Sequence, residues 1–400
     1  MEQTGPMKHV TIANSNAFIL SIWEWIVVAI LFFGITGYVT WRWPQWERLE
    51  PGPNHRLNCW EEKKSDYWSF LRWARFARDR YPAYVLGDSV VWGQAAAHDQ
   101  TISAMLNRRA GDEALFANMG VDGLHPIAMY GLLKYYGQDI RDKRVLLVYS
   151  SFWSGSAGGD LRGGWTDFFH KPLVPQFAGW LTGYNAPTEE RLGVWLEHHL
   201  PTMGLTRHIL SNYFDNKSVQ QWMIDNPYKN PLARIDLTPP ALLAKAQDTE
   251  MPWYEREEFA GKGARGGPKL VSSYESPASV SRQWEYFRKV IALLEAQDNK
   301  VFVLLLYNPY VLDHPSRRRL SGIMEAEVKP WLSEHQVPFF DVGYRVPSRC
   351  YVDQYSHMTP QGHAILTEAL FEDERFRRWL DPVVTTAPAE APASQDASGS

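Results

Sequence analysis

Four hundred residues, 45% of them hydrophobic and 22% charged, suffice for one large domain or two modest ones and exclude a chain dominated by disorder. A net charge of −4 offers no surplus of positive charge to neutralise a phosphate backbone, which excludes a general nucleic-acid role. Two cysteines, Cys59 and Cys350, exclude a disulfide scaffold and a four-cysteine zinc site, and leave room for a single bridge in an oxidising compartment.

Residues 1–17 form an N-terminal tail. The run 18–41, FILSIWEWIVVAILFFGITGYVTW, carries Glu24 as its only charge and has the length a helix needs to cross a bilayer. Trp23 and Trp25 near one end, and Tyr38, Trp41 and Trp43 near the other, supply the aromatic residues of the two interfaces. An isolated carboxylate inside a membrane is costly, so Glu24 is expected to pair with another helix. Lys8 and the amino terminus on one side face Arg42, Arg48 and Arg56 on the other, a small charge bias against export.

Residues 42–79 pass from a Pro/Gly-rich linker into an amphipathic Trp/Arg-rich helix expected near the membrane surface. The pattern then becomes alternating: a strand at 83–86, a helix after Ser89, a short strand ending near Asn118, a helix from about 126 to 136, and a strand at 144–149. It resumes with the apolar run KVFVLLLYN at 300–308, a helix near 322–334, PFFDVG at 338–343 and a last helix from Pro360. Strands alternating with helices predict a parallel α/β sheet assembled from two separated halves. Between them, about 154–280, a Trp-, Pro- and Gly-rich insertion lacks that rhythm. The Ala/Pro/Ser-rich tail 381–400 has almost nothing to bury and is expected to be disordered.

Three segments carry chemistry. YVLGDSVVWGQ sets Ser89, with Asp88 before it, at the tip of a strand where a helix begins, an exposed position that favours developing negative charge. FANMGVDG offers Asn118, Gly120 and Gly123 at a second strand end, where a glycine lets a backbone N–H point into a pocket as an oxyanion donor. YVDQYSHMTPQGH holds Asp353 and His357 before a helix with Thr359 as N-cap and Pro360 at its first position. A histidine backed by a carboxylate can take a serine proton and return it. His357 and His363 lack the i, i+4 spacing of helical metal ligands, so no metal or other cofactor is expected; His98, His125 and His208 are read as structural.

The order of these segments resembles the SGNH, or GDSL, hydrolase family over about 80–155 and 298–372. The resemblance implies a flavodoxin-like three-layer α/β/α domain over 80–380, with Ser89, Asp353 and His357 as a triad and backbone oxyanion donors at Ser89 and Gly120. The family's Gly-x-Asn-Asp block is missing where VLLVYSSFW stands, so either Ser150 or Ser151 replaces its asparagine or the hole has only two donors. The family's usual Asp-x-x-His is lengthened by one residue here. The altered block followed by Trp153, the N-terminal anchor and the insertion look like the DltD branch, whose members act in D-alanine transfer to teichoic acids and whose relatives work beside membrane-bound O-acyltransferases. This resemblance implies a single-pass inner-membrane protein with an extracytoplasmic, periplasmic catalytic domain. Its activity would be serine acyltransfer or ester hydrolysis on an envelope polysaccharide or polymer, with a membrane-bound O-acyltransferase as partner. The alternative is a non-catalytic scaffold for that acyltransferase.

Overall fold

A computed structural model describes residues 20–48, 51–56, 66–150, 153, 170–177, 186–238, 282–309, 322–353 and 356–384. The chain divides into two compact units between Trp46 and Glu47.

The first unit is one helix, α1 (Ile22–Trp46), long and apolar enough to cross a membrane. At about 1.5 Å per residue it reaches about 37 Å. Its bounds lie a few residues beyond the 18–41 run, because the aromatic-rich stretch to Trp46 stays helical through Pro44. Glu24 falls in the first turn, where its carboxylate accepts from the Ser21 N–H (2.7 Å) and hydroxyl (2.8 Å), and the Ser21 Oγ accepts from the Glu24 N–H (3.4 Å). The carboxylate thus caps the start of its own helix.

The body is α/β. Its helices and strands are α2 (Tyr67–Arg78), β1 (Ala83–Leu86), α3 (Ser89–Trp92), α4 (Ile102–Ala110), β2 (Phe116–Asn118), α5 (Pro126–Tyr136) and β3 (Arg144–Ser150). After them come α6 (Thr188–His199), α7 (Pro201–Tyr213), α8 (Val219–Asp225), α9 (Arg282–Glu295), β4 (Lys300–Leu306), α10 (Lys329–Glu334), β5 (Phe339–Asp341), α11 (Pro360–Glu372) and α12 (Glu374–Val384). The five strands pair in parallel in the order β2-β1-β3-β4-β5.

Strand residues point alternately to the two faces, and the core divides accordingly. Tyr84, Leu86, Val145, Leu147, Val301 and Val303 meet Trp73 of α2, Leu132 of α5 and Phe287 of α9. Ala83, Val85, Leu146, Val148, Phe302 and Leu304 meet Leu106 of α4, Leu366 of α11 and Phe376 of α12. Helices on both faces explain why β1 and β4 read as unbroken apolar runs. α2 buries Phe70, Trp73 and Ala77 in the first of these cores. Three helices, α6–α8, stand within the 154–280 insertion, whose other parts lie largely outside the described residues. The chain is helical to Val384, and 385–400 lie outside the described residues, as does Cys59; Cys350 is buried.

A buried charge cluster ties α7 to α2 and to the first residue of the body. His208 bridges two carboxylates, through Nε2 to Glu47 (2.9 Å) and through Nδ1 to Asp66 (3.0 Å). Tyr213 donates to Glu47 (2.5 Å), Arg72 pairs with it, and Asn212 donates to Asp66 (2.7 Å), the N-cap of α2. Burial opposes charge on His208, but the two carboxylates outweigh it and push its pKa up to about 9. The same contacts hold Asp66 down to about 2 against its own burial.

Because the folded pKa of His208 exceeds its ordinary 6.5, the stabilisation is complete below pH 6.5 and is lost as pH rises through about 9. The melting temperature should therefore fall across that window. In His208→Gln the protein should be less stable by roughly 3–5 kcal/mol, two buried carboxylates having lost their partner, and the alkaline slope should be shallower. Calorimetry showing the wild-type slope retained in the variant would refute the assignment.

Candidate active site

β1 ends in Gly87-Asp88-Ser89 at the point where the strand order reverses between β1 and β3, the crevice that open α/β sheets offer to ligands. Asp88 caps α3 by accepting the Val90 N–H (3.1 Å), and its second oxygen accepts from Trp153 Nε1 (3.0 Å). Ser89 is thus the first residue of a helix whose end is pinned to the segment after β3. That helix is one turn long. Gly93, at φ +88°, takes a left-handed conformation that stops it, and a Cβ there would meet the Thr101 methyl and the Arg56 guanidinium. The helix expected after Ser89 is thereby reduced, and with it the contribution of a helix dipole.

Ser89 Oγ lies 2.7 Å from His357 Nε2, and His357 Nδ1 bonds the Asp353 carboxylate. Two segments 268 positions apart are brought into hydrogen-bond contact. The loop bearing them is narrow: Tyr351 pairs antiparallel with Met358, Val352 N–H donates to His357 O (2.9 Å), and Thr359 N–H donates to Cys350 O (2.9 Å). Despite the one-residue lengthening of the Asp-to-His spacing, Asp353 still reaches Nδ1.

The strand ends hold the loop in place. Asn308, fully buried just past β4, donates through Nδ2 to Asp353 O (2.9 Å), and Tyr351 donates its hydroxyl to Tyr307 O (3.0 Å). Ser150, the last residue of β3, shares a hydrogen bond with Ser356 (3.2 Å). Sequence reasoning missed Asn308, although a polar residue closing a fully apolar strand run was its signal. Ser150 was weighed as an oxyanion donor, yet its hydroxyl serves the loop.

Burial works against a charged His357, but Asp353, then Asp88 and Asp122, outweigh it and push its pKa up to about 9. Asp88, itself buried, has its carboxyl raised by that burial. The Asp122 carbonyl accepts from His170 Nε2 (2.6 Å), whose Nδ1 accepts from the Tyr67 hydroxyl (3.0 Å). His363 behaves differently: burial pushes it down to about 4, and its Nδ1–H donates to Gln100 O (2.8 Å), a structural role. Among the described residues no group of three or more His, Cys, Asp or Glu is arranged to hold a metal ion.

Gly120 requires a correction. Its N–H donates to Asn118 Oδ1 (2.8 Å) and so is spent inside its own loop rather than offered to a pocket. The glycine is needed for another reason: a Cβ would lie 2.2 Å from Trp92 N, so only glycine lets this loop press against the backbone of α3. Asn118 is likewise a brace, with Nδ2 donating to Val91 O (2.8 Å) and its carbonyl accepting from Trp73 Nε1 (2.8 Å). The Ser89 N–H is used by none of the hydrogen bonds among the described residues. Ser151 lies outside the described residues.

No family model matches this sequence, and no curated protein matches it.

Asn308→Ala should loosen the Asp353–His357 loop while leaving the sheet intact. Labelling of Ser89 by a fluorophosphonate should slow by about 10-fold or more, the scale of lost orientation of a catalytic group. A labelling rate equal to wild type, with an unchanged circular dichroism spectrum, would show that the strand-end anchor does not position the base.

Proposed function

We propose that the protein is a membrane-anchored serine acyltransferase or esterase of the SGNH type, with Ser89 as nucleophile, His357 as base and Asp353 as the carboxylate that orients it. The observation that carries this reading is the continuous contact from the Ser89 hydroxyl to His357 Nε2 and from Nδ1 to Asp353. The strand order β2-β1-β3-β4-β5, with helices on both faces, is the flavodoxin-like one and supports the same family.

In this mechanism the Ser89 oxygen attacks the acyl carbonyl as its proton passes to His357 Nε2. The bond to the donor's leaving group then breaks, and His357 returns the proton to that group. An acceptor hydroxyl next surrenders its own proton to His357, attacks the acyl-serine and releases Ser89 as the free alcohol. Water in place of that hydroxyl gives hydrolysis. The Ser89 N–H faces the developing oxyanion. The acceptor is an envelope polysaccharide or polymer and the acyl group acetyl or D-alanyl, with α1 as an inner-membrane anchor, the body on the periplasmic side and a membrane-bound O-acyltransferase as partner. These features follow from the DltD-like pattern of the sequence.

A second reading is favoured by one observation: Gly120 N–H is already bonded to Asn118. A site short of an oxyanion donor loses about 3 kcal/mol of transition-state stabilisation, which would suit a docking module for a separate acyltransferase.

Wild type should turn over a small activated acetyl ester and accept a fluorophosphonate, and both should vanish in Ser89→Ala and fall steeply in His357→Ala. A folded wild type that does neither selects the docking reading. Only neutral imidazole can take the serine proton, so kcat/KM should rise with pH toward a plateau above about 9. In Asp353→Asn burial acts without its opposing carboxylate, so the ascending limb should move to lower pH while the plateau drops by about 10³–10⁴-fold. A limb that stays in place would remove Asp353 from the assignment.

A further inference from the structure

Among the described residues of the body, nearly all exposed large apolar side chains occupy one stretch. Among the described residues beyond Glu47, all but Phe177 and Tyr344 lie between Leu192 and Leu232. They include Leu192 and Trp195 on one stripe of α6, Met203 on α7, and Met223 and Ile224 on α8, the last 64% exposed. Scattered exposed apolar residues need no explanation, but a concentration of this kind on one segment marks a surface that meets something other than water.

The hydrogen bonds of the same segment say where it is tethered. His208 and Tyr213 of α7 bond Glu47, and Leu237 O accepts the Arg48 N–H (2.8 Å). Glu47 and Arg48 are the two residues that directly follow the end of α1. A helix anchored in a bilayer therefore delivers the chain, within one peptide unit, to the segment that bears the apolar surface. Its charges are balanced within it: Arg207 pairs with Glu197, Lys217 with Asp225, and Arg234 with Asp215. With five Lys and Arg against six Asp and Glu over 188–237, such a surface has no surplus of positive charge with which to capture an acidic polymer, and its affinity is for an apolar phase.

We infer that α6–α8 form a second membrane contact, with Leu192, Trp195, Met203, Met223 and Ile224 entering the boundary between headgroups and acyl chains of the bilayer that holds α1. The inference rests on the reading of α1 as an anchor. Helices lying in an interface bind through buried apolar area, with attraction to anionic lipid added where basic residues predominate. Here the apolar component acts alone, so neutral phosphatidylcholine is bound as well as anionic lipid. The contact would hold the body down against the membrane instead of leaving it to swing on a single tether.

The test uses the full chain, with Cys59→Ser and Cys350→Ala, reconstituted into phosphatidylcholine nanodiscs that contain no other protein. Spin labels are placed singly through Leu192→Cys, Met203→Cys, Ile224→Cys, Lys229→Cys and Phe33→Cys, and collisions with oxygen and with nickel-EDDA are read by power saturation. The expected result is loss of nickel-EDDA accessibility and gain of oxygen accessibility at positions 192, 203 and 224, as at 33 in the anchor, with 229 remaining water-like. Adding phosphatidylglycerol should change nothing. Water-like values at 192, 203 and 224 with a lipid-like 33 would overturn the second contact, assigning that surface to water or to a protein partner. Water-like values at 33 as well would remove the anchor reading itself. Protection that appears only with phosphatidylglycerol would overturn the apolar mode of binding.

Discussion

A hydrogen bond of 2.7 Å between residues 268 positions apart tolerates almost no error in the scaffold, and the rest of the body can be read as the means of meeting that tolerance. Ser89 is fixed by β1, β1 is registered against β3 through Ala83–Leu86, and β3 is registered against β4 over seven residues. The ends of β3 and β4 then hold the loop of the base through Ser150, Tyr307 and Asn308. A slip of one residue between β3 and β4 would invert the faces of the strand and carry Asn308 away from Asp353. Parallel pairing buried on both faces makes such a slip prohibitive, since every apolar side chain of β4 would change sides.

The second organising element is ionic. Glu47, Asp66, Arg72 and His208 are buried together, and their charges are tolerated because each is paired and hydrogen-bonded. Interactions of this kind add modestly to net stability but penalise every arrangement in which one member is missing. They select one docking of α7 on α2, and one entry of the chain into the body at Glu47. A similar economy governs the site, where Asp88 caps α3 and pins Trp153 while its charge also acts on His357.

Much of the arrangement was legible in the sequence where it depends on local pattern. The apolar strand runs at 83–86 and 300–308, the Ser89 block at a strand end, and the Thr359-Pro360 helix start all stand where composition and periodicity put them. The contact of Asp353 with His357 was readable once the turn was allowed to bulge. What escaped depends on distant partners. The role of Gly120 is set by the backbone of Trp92, which no local motif records, so the residue was identified and its reason was not. Asn308 acts across 45 positions, and Glu47, nominally part of a linker, became the centre of a cluster through a histidine 161 positions away. Glu24 is the opposite case: a Ser-x-x-Glu start lay in plain view, overshadowed by the apolar run around it.

The crossover from Ser150 to Lys300 has a consequence for how such a chain comes into being. Ser89 is in place once β1, β2 and β3 have met, but its partner at 357 belongs to the far half of the sheet and is synthesised 268 residues later. A nascent or clipped chain thus carries a plain alcohol where the finished one carries a hydroxyl paired with an imidazole. The Ser89–His357 contact becomes a report on completed assembly: the ribosome must deliver 268 residues beyond the serine, and the long crossover must close, before the two side chains meet.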